Sequence, residues 1–97
     1  MAAVSAIQIA NPTLSGTTID TVTLSGRVQT GVRIGNRSGT GYLFVTVGTT
    51  TPADPAAGAA ENFCVPAGLW RDIPFGPTTG LIVKVLGNVN DYTVETY

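Results

Sequence analysis

The chain has no histidine, one cysteine (Cys64) and one lysine (Lys84), and charged residues make up only 11% of its 97 positions. Each shortage excludes something. Without histidine there is no Ser-His-Asp triad, and Cys64 has no imidazole base to make it a nucleophile. A lone cysteine closes no internal disulfide, and no Cys/His cluster can hold structural zinc. A net charge of −1 and a pI near 4.9 give no electrostatic footprint for nucleic acid. No apolar run approaches the roughly 18 residues that a membrane helix needs. The N-terminus lacks the basic stretch of a signal peptide. The expected compartment is therefore the one where the chain is synthesised, and a free Cys64 fits a reducing one.

Strand and turn formers are abundant instead. Val, Ile and Thr supply 32 residues, with 12 Gly and 6 Pro, whereas Glu, Lys, Gln and Met together number 6. Branched and hydroxyl side chains suit a pleated surface. The expected architecture is all-β: one domain over residues 1–97, a small β-sandwich or barrel of about seven or eight short antiparallel strands without significant helix.

Along the chain, residues 1–16 read as an extended N-terminal arm or edge strand, ended by the Asn11-Pro12 turn. Residues 17–24 predict a strand closed by Ser25-Gly26. In residues 27–36, Val28, Val32 and Ile34 share one face and Arg27 and Arg33 the other. Gly31 in that run marks a bulge or a close backbone approach. Residues 36–41 read as a hairpin loop leading into a strand over 42–47, apolar on both faces and so central. Pro52, Pro55 and Gly58 break any helix in residues 48–60, leaving a long exposed loop. Pro66-Ala67-Gly68 is a tight turn, with residues 61–65 and 69–73 as its hairpin arms. Residues 74–77 are irregular, and strands follow over 81–86 and 91–97.

Few residues invite chemistry. Asp20, Asp54, Glu61, Asp72, Asp91 and Glu95 show no ligand spacing and read as solvated or ion-paired. Cys64 reads as a buried, inert thiol, and Lys84 as an outward strand charge. The serines have no nucleophile elbow. The Gly-rich run 35–41 lacks the lysine and helix of a phosphate loop. Asn36-Arg37-Ser38 satisfies the glycosylation rule, which matters only on a secretory route. Trp70 either packs in the core or barrel end or makes an exposed contact. Tyr97 either seals a core edge or meets a neighbour. No catalytic, metal or cofactor-binding residue emerges, and an enzyme is not expected.

Four pieces occur in an order that carries a resemblance. Asn-Arg-Ser-Gly leads into an aromatic strand (36–47), and a Gly-Thr…Pro loop follows (48–52). Val-Pro-Ala-Gly then precedes Trp70 and Arg71 (65–71), and a Val-Lys-Val strand leads to Asp-Tyr-Thr-Val-Glu (83–95). In this the chain resembles small β-sandwich structural proteins of tailed bacteriophages that infect actinobacteria, over about two thirds of its length. The resemblance implies a capsid decoration or minor capsid protein that stabilises the head shell. It implies a virion location after assembly in the host bacterial cytoplasm. The implied partners are the major capsid protein and copies of the chain itself, as a homo-oligomer, with no cofactor, nucleic acid or membrane. Expected contact residues are Val4, Ile7 and Ile9 in the arm, Thr50, Thr51 and Pro52 in the long loop, and Trp70 and Tyr97. The alternative is a small tail or tail-tip component, such as a host-carbohydrate-binding module using Trp70, Tyr42 and Phe75 as stacking residues.

Overall fold

The computed structural model describes residues 9–10, 19–28, 30–56, 62–87 and 91–97. Among these there is no helix. Eight strands follow one another: β1 (Ile9–Ala10), β2 (Ile19–Val28), β3 (Gly31–Asn36), β4 (Leu43–Gly48), β5 (Phe63–Val65), β6 (Trp70–Pro74), β7 (Thr78–Leu86) and β8 (Tyr92–Thr96). They form two four-stranded antiparallel sheets. Sheet 1 has the order β1-β8-β3-β6 and sheet 2 the order β2-β7-β4-β5. Strand pairs β1/β8, β2/β7, β3/β6 and β4/β5 are nested like one long hairpin, and alternate pairs fall into alternate sheets. A hairpin rolled up in this way is a jelly roll.

This rolling corrects two expected hairpins. Residues 36–41 do not join paired strands, because β3 lies in sheet 1 and β4 in sheet 2. The Pro66–Gly68 turn forms, with Leu69 N donating to Pro66 O at 3.1 Å and Gly68 at a φ of 73°. It too passes between sheets, since β6 pairs with β3 and β5 with β4. A tight turn fixes a change of direction and leaves open which strand the returning chain pairs with. A third correction concerns Ser25-Gly26. The pair does not end a strand; it lies at a register shift between Leu24 and Arg27 inside β2, which continues to Val28. Such an extra residue bends a strand without ending it. The strand expected over 81–86 also begins earlier, at Thr78.

The core lies between the sheets. Leu43, Val45, Val65, Leu81, Val83 and Val85 face inward from sheet 2, against Val32, Ile34, Ile73, Tyr92 and Val94 of sheet 1. In β7 burial alternates residue by residue, as the two-residue period demands. Residues 27–36 are not the single run expected: Arg27 and Val28 end β2 of sheet 2, and Val32, Arg33 and Ile34 belong to β3 of sheet 1. The chain changes sheets between Val28 and Gly31, so Val28 reaches the core from the opposite side to Val32 and Ile34. β4 is an interior strand, as its two apolar faces led us to expect.

Polar groups also join the sheets. Buried Tyr92 donates its hydroxyl to Asp20 Oδ2 at 2.9 Å, linking β8 to β2. Burial raises the Tyr92 pKa far above the ordinary tyrosine value, and the Asp20 carboxylate acts in the same direction. A tyrosine in the unfolded chain ionises near about pH 10. The folded Tyr92 keeps its proton there, so the unfolded state binds fewer protons. Stability from this group is complete below about pH 10 and is lost as pH rises toward the folded value. Between pH 9 and pH 11 urea titrations should show wild type losing about 1.4 kcal/mol more than Tyr92→Phe. Equal losses in both proteins would refute this role for Tyr92.

Candidate interaction surfaces

Each sheet turns one face to the core and one outward, and the two outward faces differ. On sheet 1, β3 places Arg33 between Asp72 of β6 and Glu95 of β8. Arg33 Nε donates to Asp72 Oδ1 at 2.7 Å and Nη2 to Oδ2 at 3.4 Å, while Nη1 donates to Glu95 Oε1 at 3.3 Å. The hydrogen bond from Arg33 holds the Asp72 carboxyl below its ordinary pKa, and Asp72 in turn raises that of Arg33. The guanidinium also lies 5.4 Å from the centre of the Tyr97 ring. One row away, Trp70 is paired with Gly35, and Gly35 with Thr93. Trp70 is 51% exposed.

The outward face of sheet 2 carries an apolar row across all four strands. Ile19, Leu86, Phe44 and Cys64 are successive register partners. Cys64, expected to be buried, is only half-buried here, because β5 is an edge strand and, among the described residues, no further layer covers its outward face. Tyr42, 57% exposed, sits edge-on to Phe44 with ring centroids 6.5 Å apart. The next row is Thr21, Lys84 and Thr46. Here residues 53–55 lie down on the sheet. Thr46 Oγ1 donates to Ala53 O at 2.6 Å, Lys84 Nζ meets Asp54 Oδ1 at 2.7 Å, and Pro55 is buried. The loop expected to be wholly exposed is thus fastened over its own sheet at this point. Lys84 does point outward, as its alternation with Val83 and Val85 predicts, and its side chain is mostly covered by the loop.

At the side where β5 and β6 meet, Arg71 bridges the sheets. Its Nη1 donates to Cys64 O at 3.2 Å, and its guanidinium stands 5.1 Å from the centre of the Phe63 ring. Among the described residues no group of three or more His, Cys, Asp or Glu side chains could hold a metal ion.

No protein-family model, curated protein or solved structure matches the chain.

The expected contact residues are not gathered into one patch. Val4 and Ile7 lie outside the described residues. Ile9 lies in β1, opposite Glu95, at one edge of sheet 1, and Trp70 lies in β6 at the other edge. Thr50 and Thr51 are exposed and Pro52 is half-buried, in the segment that runs onto sheet 2. The Tyr97 ring lies by Arg33, and its backbone bonds to Thr30 and Gly31. The expected stacking trio is likewise dispersed. Trp70 is on sheet 1, Tyr42 precedes β4 of sheet 2, and Phe75 is packed against the core. Sequence reasoning did not pick out the Arg33–Asp72–Glu95 group, because its members come from three strands whose adjacency only the topology reveals. The asparagine of the Asn36-Arg37-Ser38 run is enclosed by the fold. Asn36 is buried, and its Nδ2 is committed to Gly41 O at 3.0 Å and Val65 O at 3.1 Å.

Proposed function

We propose that this chain is a structural protein of a tailed-phage virion, a capsid decoration or minor capsid protein that lies on the head shell in many copies. The observation that carries the reading is the contrast between the two outward faces. Sheet 1 presents an ion-paired row, with the exposed Trp70 ring one row away. Sheet 2 presents Ile19, Phe44, Leu86 and Tyr42, with its one covered lysine already neutralised by Asp54. Interface centres are enriched in aromatic side chains and poor in charge. A shell would then meet sheet 2, leaving sheet 1 outward. The sequence resemblance supports the reading. So, as a fold-level analogy only, does the use of jelly rolls in viral capsids, a topology that also serves lectin domains and cupins. Individually weak contacts suffice on a shell, because symmetry repeats each of them and neighbouring copies support one another.

The test is immunogold labelling of virions of the encoding phage, combined with shell binding by recombinant variants. Label over the head is expected; label confined to the tail would favour a tail component. Tyr42→Asp puts a charge in the proposed contact face at an exposed position. It should leave stability within about 0.5 kcal/mol of wild type and weaken shell binding at least about tenfold, the equivalent of about 1.4 kcal/mol. Normal occupancy of the head by this variant would reject sheet 2 as the contact face. Removal of residues 1–8, which stops short of β1, separately tests the arm.

A further inference from the structure

We infer that the outward face of sheet 1 binds a neutral sugar ring, with the Trp70 indole as the stacking platform and Asp72 as the principal hydroxyl acceptor. The inference does not depend on the virion reading. It begins with the geometry at Gly35. A Cβ built on Gly35 would lie 2.6 Å from Trp70 Cδ2, 2.6 Å from Cε3 and 2.6 Å from Cζ3. These are three consecutive atoms of the six-membered ring. A point equidistant from three atoms of a regular hexagon lies on the axis through its centre. The ring therefore rests face-down on the Gly35 backbone, and any side chain at 35 would drive into its middle. One π-face is held by the strand beneath. The opposite face points away from the sheet, and Trp70 as a whole is 51% exposed.

The surroundings decide what such a platform can take. The register partners in its row are Gly35 and then Thr93, so no second apolar side chain extends it across the sheet. Leu69, also exposed, lies in the turn before β6. A protein partner needs roughly 800 Å² of well-packed surface on each side, and one indole set among glycine, threonine and ion pairs supplies little of that. A pyranose needs only one aromatic ring. Its face of axial C–H groups is weakly positive and suits the negative π-face. Its equatorial hydroxyls need fixed polar partners at the ring's rim.

Asp72 stands two residues along β6 from Trp70. Strand alternation puts both on the same face, about 6.6 Å apart along the strand. Its carboxylate is held in orientation by the two Arg33 donations, yet each of its oxygens retains acceptor capacity. Arg33 is itself held from the far side by Glu95 and the Tyr97 ring. The platform and the acceptor are thus both positioned before any ligand arrives, which limits the ordering a ligand must impose.

Trp70 is the chain's one tryptophan, so its fluorescence reports this site alone. The probes are chitotetraose, cellotetraose, a β-galactan tetramer and an α-mannan tetramer, each titrated into the full chain. At least one should give a saturable emission change and protect Trp70 from acrylamide quenching. Asp72→Ala keeps the fluorophore and should weaken that binding about tenfold or more. Trp70→Ala, followed by calorimetry, should abolish it while the thermal transition persists. Gly35→Ala, which must lift the ring, should weaken it even where the fold is retained by circular dichroism. No saturable change with any of the four probes overturns the inference. So does binding that Asp72→Ala leaves untouched. An emission shift that tracks protein concentration without any sugar also overturns it, and would instead mark Trp70 as a contact between copies.

Discussion

Gly31→Ala should lower the unfolding free energy by about 3 kcal/mol, the upper range for forcing an extra carbon into a filled site, and the melting temperature by about 15 °C. Gly31 opens β3 between Pro74 of β6 and the chain end at Tyr97. A Cβ there would collide with the carbonyl oxygen of Ile73, lie 2.9 Å from Pro74 Cα, and stand 3.0 Å from the Tyr97 hydroxyl. The first two are backbone atoms, so no rotamer change relieves them. Relief requires β6 to move off β3, which loosens the Gly31↔Pro74 and Val32↔Ile73 pairs and the bond from Phe75 N to Thr30 O. Gly39→Ala is the matched control: nothing lies within 4 Å of its added carbon, and its stability should stay within about 0.5 kcal/mol of wild type. Urea denaturation of both variants measures the difference. Equal midpoints would mean that the sheet absorbs the added carbon and that the close approach at Gly31 has no energetic role.

Gly31 also illustrates what could be read from the sequence. A glycine in a strand pattern signals a bulge or a close backbone approach, and at Gly31 it is the approach, with Ile73 and Pro74 backbone atoms where a Cβ would go. Period-two patterning was equally legible. It put Val32 and Ile34 on one face, Tyr92, Val94 and Thr96 on one face, and Lys84 outward, and the first two sets are buried. Val28 is buried as well, but from β2 of the other sheet, so its shared parity with Val32 and Ile34 has no pleat behind it. The two expected hairpins were not legible as the inter-sheet turns they are. Asn36–Gly41 and Pro66–Gly68 carry turn chemistry, and turn chemistry is local. Whether a turn rejoins its own sheet or crosses to the other depends on how distant strands pair, and in a jelly roll those distant pairs are nested across the whole chain.

The candidate surfaces were legible in the same uneven way. Trp70 was a candidate contact from its type alone. What holds one face of its ring is Gly35, which is 35 residues away and is its register partner only after β3 and β6 align. Asp72 and Glu95 read as solvated or ion-paired with no partner named, and Arg33 only as a residue on one face of its strand. Their assembly into one row depends on β3 lying between β6 and β8. Residue type is a property of the sequence, but the adjacency that gives these residues a role comes from long-range pairing.

Asn36→Ala should destabilise the domain by about 2–3 kcal/mol, since it removes two buried donations and one acceptance together. Asn36 ends β3 and is 1% exposed. Its Nδ2 reaches Gly41 O, closing the crossing loop, and Val65 O of β5 in the other sheet, while its Oδ1 accepts from Ser38 N at 3.2 Å. One side chain therefore shapes the loop and ties the sheets at that end, a task only an amide, with donors and an acceptor on one planar group, can perform. Asn36→Asp separates this account from simple loss of volume. An ionised carboxylate has acceptors only, and here the oxygen in the Nδ2 position would face two carbonyl oxygens, Gly41 O and Val65 O. The folded state would resist ionisation, so the folded pKa of the new carboxyl would lie above its unfolded value near about 3.9. Stability would then be greatest below that value, where the protonated acid can donate, and would fall as pH rises through the folded pKa. Urea titrations should find Asn36→Asp less stable than Asn36→Ala at pH 7 and nearer to wild type at pH 3.5. If the two variants keep the same difference at both pH values, the donated hydrogen bonds are not what holds this end of the sandwich together.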